Sequence, residues 1–482
     1  MATALGSFAG ISDRSLSARH AAGRAFPRIL AAARRCAEIG LFAVVMLLLV
    51  RTWFVEGLIA PARVAGPSMA ATLKGPHWRV HCSDCGFAFA FGADQLRADR
   101  SAVCPNCRFT IPDVGPLQIR KGDRLLIDKL AFALSPPRRW ETVVFRCPRQ
   151  ASQYCIKRLV GLPGETVQIV AGEVLVNGQP LSKSLRQFRQ LAILVHDTRF
   201  RHRPSHQRPQ PWQSKVDGGW RSTDDGFRYA QDTSAELPAT MQAPEWLWFQ
   251  YRSPSQAATR VPRPILVTDD YGYNQALSRS LNEVNDLLLV SRFKTSGTGA
   301  LYLRGATADR AFVVRLQPEA GTGQLYVDGT LVDQLRGAEP FFRQPQQLEL
   351  AMVDGTFRVA IDGRLILEYA PGLRDAGVDR GAPPAAPAGV LAGQDAGLDL
   401  WPLAIGAVGI DVTTANLQVY RDVYYTDVLS TAGGETAGLV TLGDDEYFVL
   451  GDNSPVSLDS RHAGQGLPVH RDLMIGRPLI RP

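Results

Sequence analysis

Long hydrophobic stretches are scarce in this 482-residue sequence. The longest uninterrupted apolar run, Ile39 to Val50, is twelve residues, short of the ~20 that a spanning helix needs. No second segment of comparable apolarity occurs, which excludes a bundle of membrane helices. Acidic residues are almost missing from the first 36 positions, where Arg14, Arg19, Arg24, Arg28, Arg34 and Arg35 face Asp13 alone. An arm of that charge stays in the cytoplasm, and the segment after it crosses the membrane. No internal repeat is visible, which excludes solenoids and propellers. Cysteine is sparse, and six of the seven fall into two spaced groups.

With 45% apolar residues, a chain of this length builds several cores, about three domains. The net charge of +7 comes largely from the basic arm, so it directs the protein toward anionic lipid headgroups and not toward nucleic acid. The short apolar run has two readings. As a secretory h-region it would end in a cleavage site at Ala60-Pro-Ala62. As an anchor over residues 37–60 it continues helically through Thr52–Ile59, with Trp53 at the interface and Arg51 able to snorkel; we take this reading, with a basic cytoplasmic arm at 1–36.

Beyond the apolar segment stands Ser68-Met69, and far downstream Lys157 sits in Ile156-Lys-Arg-Leu-Val-Gly-Leu-Pro-Gly-Glu165. A serine hydroxyl becomes a useful nucleophile when a neighbouring base takes its proton, and lysine is such a base only when neutral. Free lysine titrates near ~10.4, and bringing it close to 7 costs roughly 4 kcal/mol, supplied by desolvating the ammonium. Ile156, Leu159, Val160 and Leu162 give Lys157 apolar neighbours, as on a strand entering a core. The competing reading is a surface strand with an exposed basic pair.

Three further blocks order these residues: Gly66-Pro-Ser-Met-Ala-Ala-Thr-Leu73, Lys121-Gly-Asp-Arg-Leu-Leu-Ile-Asp-Lys129 and Gly451-Asp-Asn-Ser-Pro-Val-Ser-Leu-Asp-Ser-Arg461. Together with the anchor and the lysine block, the pattern resembles the bacterial type I signal peptidases. The resemblance implies a mainly β fold, with a signal-peptidase-like catalytic domain assembled from residues 61–78, 113–185 and 439–482. It implies that Ser68 attacks the scissile carbonyl and Lys157 serves as general base. Ser457 would orient the lysine amine, Asp459 and Arg461 would form a supporting ion pair, and Asp452 would lie beside it. Substrate would add a strand near Ala62, Val64 and Gly66 on one side and Tyr154 and Ile156 on the other. The implied partners are preproteins carrying signal peptides and the lipid bilayer, with no cofactor for catalysis. The implied location is the cytoplasmic membrane, single-pass, with the catalytic domain outside. Two positions depart from the pattern. Gly66 stands where many relatives carry a hydroxyl that helps hold the oxyanion, and Ala71 where proline is usual.

Two insertions interrupt the catalytic blocks. In the first, residues 79–112, Cys82, Cys85, Cys104 and Cys107 have the spacing of a zinc ribbon, whose four thiolates would hold a structural metal; two disulfides are the alternative outside the cytoplasm. Gly86 and Pro105 suit the knuckles, and His81 reads as a surface residue. Cys147 and Cys155 would close a hairpin disulfide or remain free thiols, and Cys36 should stay reduced. The second insertion starts as a basic linker over 186–263, with Arg199–Pro204 exposed. It continues over 264–438 as a concanavalin-like β sandwich, whose Asp-Gly turns at 328–329 and 362–363 signal two-residue hairpins, with a long loop at Pro371–Leu398. Trp212, Trp220, Trp246 and Trp248 read as packing residues, with a sugar site as the alternative. A second functional reading is a catalytically silent membrane receptor whose sandwich binds glycan or protein.

Overall fold

The computed structural model describes residues 14–148, 150–203, 208–214, 219–231, 243–255, 262–307, 309–370, 401–426, 439–462 and 468–479; side chains at 14–30, 53–56 and 151 are outside that description. The expected loop at Pro371–Leu398, the side chain of Trp53 and the arginines before residue 30 therefore lie outside the described residues. Helix Arg14–Leu49 runs into a wider turn at Val50–Val55 and a last turn at Glu56–Leu58. Its apolar residues meet no core: Ile39 is 67% and Leu47 70% exposed. Among the described residues no helix is long and apolar enough to cross a membrane.

The remainder is mainly β. Seven strands form one sheet, in the order Ile59–Arg63, Arg124–Asp128, Met474–Pro478, Thr142–Cys147, Gln150–Gly161, Glu446–Leu450 and Val469–His470. Strands from both ends of the chain interleave, so the sheet closes only once the large insertion has returned the chain to residue 440. A four-stranded sheet, Gln179–Pro180, Glu173–Val176, Thr166–Val170 and Val440–Thr441, packs beside it. The tight turn Asn177-Gly178 takes positive φ at both residues, +51° and +76°, the geometry that matches the twist of adjoining strands.

The large insertion is two antiparallel sheets around one apolar core. The first holds Leu287–Ser296, Gln346–Val353, Thr356–Ile361, Arg364–Tyr369 and Asp411–Arg421 with shorter strands at its margin; the second is centred on Leu403–Val408, Ala300–Ala306, Ala311–Gln317 and Thr322–Val327. Asp328-Gly329 and Asp362-Gly363 turn with positive φ, as the dipeptides predict, and so does Asp354-Gly355, a third such hairpin. Phe293, Leu303, Val314, Leu325, Phe357 and Ile405 meet between the sheets.

Three expectations about this insertion need correction. Residues 186–263 are not a linker: Ile193–Asp197, Trp212–Ser214, Trp220–Ser222, Gly226–Tyr229 and Glu245–Phe249 are strands of the two sheets. Strands of three to five residues between arginine-rich turns carry too few alternations to register a period of two. Of Arg199–Pro204, the described residues 199–203 are not simply exposed, because buried His202 lies 2.7 Å from the carboxylate of Asp84 in the four-cysteine unit. The strand pattern also does not begin at Pro264, since the described residues 262–286 form only isolated bridges before the strand at Leu287. Trp212 and Trp220 belong to the core and Trp248 is buried.

Candidate functional site

Ser68 lies on a tight turn just after the edge strand Ile59–Arg63. Ala70 N donates to Pro67 O at 3.0 Å and Leu73 N to Met69 O at 2.7 Å. Met69 and Leu73 anchor this turn in a small core with Val64, Leu125 and Ile156. Apolar burial on both sides of the serine thus fixes where its main chain stands. Gly66, two residues earlier, borders open space: a β-carbon there would meet nothing within 4 Å.

Lys157 occupies strand Gln150–Gly161, opposite Val143 of Thr142–Cys147. Its side chain is buried and its Nζ donates to Ser457 Oγ at 3.0 Å. Burial brings its titration down from 10.5 to about 8; the nearby Asp459 and Asp452 carboxylates oppose the drop and Arg461 assists it. The exposed basic pair does not occur, because Arg158 is buried as well. Its guanidinium grips Asp452 in a two-pronged pair, Nε to Oδ1 at 3.0 Å and Nη2 to Oδ2 at 2.6 Å, and donates to Trp140 O. Asp452 therefore takes Arg158 as its partner and does not join Arg461. Arg158 had no role in the sequence reading, and its only signal was its place in an apolar run beside Lys157.

The last block supplies the surroundings of the amine. Asp459 is fully buried, accepts from Gly451 N at 2.9 Å, and pairs with Arg461 Nε and Nη2, each at 2.8 Å. Burial alone would raise this carboxyl, yet the Arg461 charge holds it below its ordinary value. Arg461 in turn donates to Thr426 O and Ser454 O, which stiffens the loop carrying Ser457. The Ser68 turn meets this loop at Gly451: a β-carbon there would lie 2.1 Å from Ser457 Oγ and 2.5 Å from Ser68 O. Asn453 N donates to Ser68 O at 3.0 Å. The Ser68 main chain thus meets the Gly451–Arg461 loop, and that loop holds the buried Lys157 amine through Ser457; among the described residues Ser68 Oγ makes no hydrogen bond to Lys157 Nζ.

Two strand margins flank the site. Ala62 is on the terminal strand of the sheet, which among the described residues pairs only with Arg124–Asp128. Tyr154 and Ile156 pair with Thr142–Cys147, while the partner on the other side, Glu446–Leu450, begins only at Arg158. Among the described residues neither margin has a strand partner on its outer side. Val64 and Ile156 pack together between them. Cys147 and Cys155 are joined by a disulfide at the end of this hairpin.

The four ribbon cysteines converge in a separate candidate metal centre. Their sulfurs lie within 4.8 Å of one another, with Cys82 to Cys107 at 3.6 Å and Cys85 to Cys104 at 3.8 Å, and all four are unbridged and buried. A tetrahedron of sulfurs ~2.3 Å from zinc has edges of about 3.8 Å, so the set fits that ion. Two matching turns build it: Gly86 N donates to Cys82 O and Arg108 N to Cys104 O, with φ of +76° at Gly86 and +61° at Arg108. Asn106 Nδ2 approaches Cys85 Sγ.

The description "Signal peptidase, peptidase S26" matches residues 117–217 and 405–481, on either side of the sandwich strands in between. Lys157 and the Gly451–Arg461 block fall inside the match and Ser68 outside it. Signal peptidase I of Leptolyngbya laminosa is 44% identical over 73 residues, 14% of this chain and 36% of that protein. Probable signal peptidase I-1 of Synechocystis is 35% identical over 72 residues, 14% of this chain and 37% of that protein. The chain thus spans about a third of the length of the curated relatives it matches. Solved structures that overlap it include a carbohydrate binding module from Bacillus subtilis (9% identity, 44% of this chain, 96% of that one, TM-score 0.25) and a Bacillus licheniformis beta-glucanase (8%, 45%, 94%, 0.25). At that level of overlap the two-sheet architecture stands on its own hydrogen-bond register.

Proposed function

We propose that this chain, which belongs to the signal peptidase family through residues 117–217 and 405–481, is a membrane-anchored serine endopeptidase that removes signal peptides from exported preproteins. The observation that carries the reading is the buried Lys157 amine, brought to about 8 and donating to Ser457 Oγ beside the turn that bears Ser68. Neutral Lys157 takes the proton from Ser68 as its oxygen attacks the scissile carbonyl, then passes a proton to the departing amine. Ser457 holds the amine in place, and the Asp459–Arg461 pair holds the loop under Ser457. The Ser68 main-chain N–H receives the developing oxyanion, with no side-chain donor at Gly66 to share it.

Substrate lies extended between the margins at Ala62–Val64 and Tyr154–Ile156, where main-chain pairing gives affinity with little demand on sequence. The unpacked apolar face of Ile39–Val50 supports its burial in the bilayer as a single anchor, with the basic arm in the cytoplasm and the catalytic domain outside. Cys82, Cys85, Cys104 and Cys107 hold a structural zinc ion, which leaves no open position for chemistry. The inserted two-sheet domain has a concanavalin-like arrangement. A silent receptor is disfavoured, because three of the four tryptophans it would offer are buried.

Detergent-solubilised protein incubated with a preprotein should yield the shortened product, and Ser68→Ala and Lys157→Ala should each abolish it. Cleavage that survives either substitution rules out the dyad. Purified protein should hold about one zinc per chain, lost in Cys85→Ser; a metal-free sample with oxidised cysteines would overturn the zinc assignment.

A further inference from the structure

Residues 262–286 lie between two strands of the sandwich in chain order, Glu245–Phe249 and Leu287–Ser296, which belong to different sheets. They leave the sandwich and enter the catalytic centre. Tyr271 Oη donates to Asp452 O at 2.8 Å. Asn274 and Asn453 exchange a reciprocal amide pair, Asn274 Nδ2 to Asn453 Oδ1 at 2.7 Å and Asn453 Nδ2 to Asn274 Oδ1 at 2.9 Å. Both side chains are buried, Asn453 completely.

Asn453 is the residue that holds the nucleophile turn from behind. Its main-chain N–H donates to Ser68 O, and its Nδ2 donates to Pro67 O, both at 3.0 Å. Two consecutive carbonyls of the turn are therefore fixed by one residue. A terminal amide can present either its oxygen or its nitrogen to Pro67 O, and only the nitrogen binds it. The Asn274 Nδ2 donor claims Asn453 Oδ1 and leaves Nδ2 facing Pro67. Without Asn274, a buried acceptor loses its donor and Asn453 loses the contact that sets its orientation.

We infer that Asn274, contributed by the sandwich insertion, is a positioning residue for the peptidase reaction, acting on Ser68 through Asn453. The catalytic centre is thereby completed by a segment that the matched stretches 117–217 and 405–481 do not contain. The inference rests on Ser68 being the nucleophile. Displacing a reacting group by ~1 Å can lower a rate about 10²-fold, and the effect belongs on kcat because substrate pairs with other strands.

The test uses the full chain in detergent with a preprotein substrate. Asn274→Ala should lower kcat about tenfold or more with KM within about threefold of wild type. Gln275→Ala is the control: Gln275 ties the same segment to the ribbon through Val103 N and O, so the variant should lose thermal stability comparably while keeping kcat. Asn453→Ala and the double variant with Asn274→Ala should have equal kcat, since one acts through the other. Asn274→Asp keeps the shape but replaces the Nδ2 donor with a carboxylate oxygen and adds a buried charge, so it too should lower kcat by about threefold or more with KM unchanged. A smaller fall in folded Asn274→Ala or Asn274→Asp, an equal fall in Gln275→Ala, or additive losses in the double variant overturns the inference. A wild type that fails to cleave, or a Ser68→Ala variant that still cleaves, overturns the peptidase reading instead.

Discussion

Replacing Lys157 with methionine should abolish cleavage and yet strengthen the fold near neutral pH. The amine is buried and its titration falls from 10.5 to about 8. That difference corresponds to about 3 kcal/mol by which the folded protein disfavours the ammonium relative to the unfolded chain. Below pH 8 the amine is protonated in both states, and the folded protein carries the whole penalty. Between 8 and 10.5 the unfolded chain holds the proton and the folded protein does not, so stability rises with pH. Above 10.5 neither state holds it and the penalty is gone. Methionine fills a similar volume with no charge, but it leaves Ser457 Oγ without its Nζ donor, a loss of about 1 kcal/mol. The net gain for Lys157→Met is therefore about 2 kcal/mol at pH 7, shrinking steadily as the pH rises past 8. Urea unfolding of both proteins, in matched buffers at pH 7 and pH 10, measures it. The reasoning fails if the variant is less stable than wild type at pH 7, or if its advantage is the same at both pH values. The same titration places the acidic limb of the wild-type pH profile of kcat/KM near pH 8, with activity lost as the pH falls.

Other substitutions probe the neighbouring contacts. Gly451→Ala forces a methyl group between Ser457 Oγ and Ser68 O, so kcat should drop by about 10²-fold while the overall fold, read by circular dichroism, persists. Gly66→Ser enters open space and adds an oxyanion donor, so kcat should rise severalfold, up to about tenfold; an unchanged or lower kcat would show that the hydroxyl does not reach the developing charge. Arg158→Met leaves Asp452 buried and unpaired and should cost about 3–5 kcal/mol, whereas Arg158→Met with Asp452→Leu should recover much of that loss in thermal unfolding.

Much of the site was legible because it is written in short segments. Ser68-Met69, Lys157 among Ile156, Leu159 and Val160, and two Cys-x-x-Cys pairs each show which groups they offer within a few residues. The Asp-Gly turns work in the same way, since a two-residue hairpin needs positive φ at both positions and these dipeptides supply it. The misreadings share a different cause. Strands such as Trp212–Ser214 and Trp220–Ser222 are too short to show a period, and only their pairing makes them strands, the first with distant Leu247–Phe249 and the second with nearby Phe227–Tyr229. Arg158 was given no role because nothing near it in sequence shows that Asp452 will be buried against it. Asn274 gave no signal, lying in a polar stretch within an insertion whose pattern pointed elsewhere.

Read alone, the sequence determined which chemical groups were on offer and the order in which the chain presents them: a hydroxyl, an amine with apolar neighbours, four thiols at knuckle spacing, and a basic arm before an apolar segment. These properties arise from local spacing and side-chain type, which backbone geometry constrains over a few residues. Only the tertiary structure decided the partners: Lys157 with Ser457, Arg158 with Asp452, and Asn453 with Asn274. Each pairing joins positions separated by well over a hundred residues, and which groups lose their water together depends on how whole sheets pack.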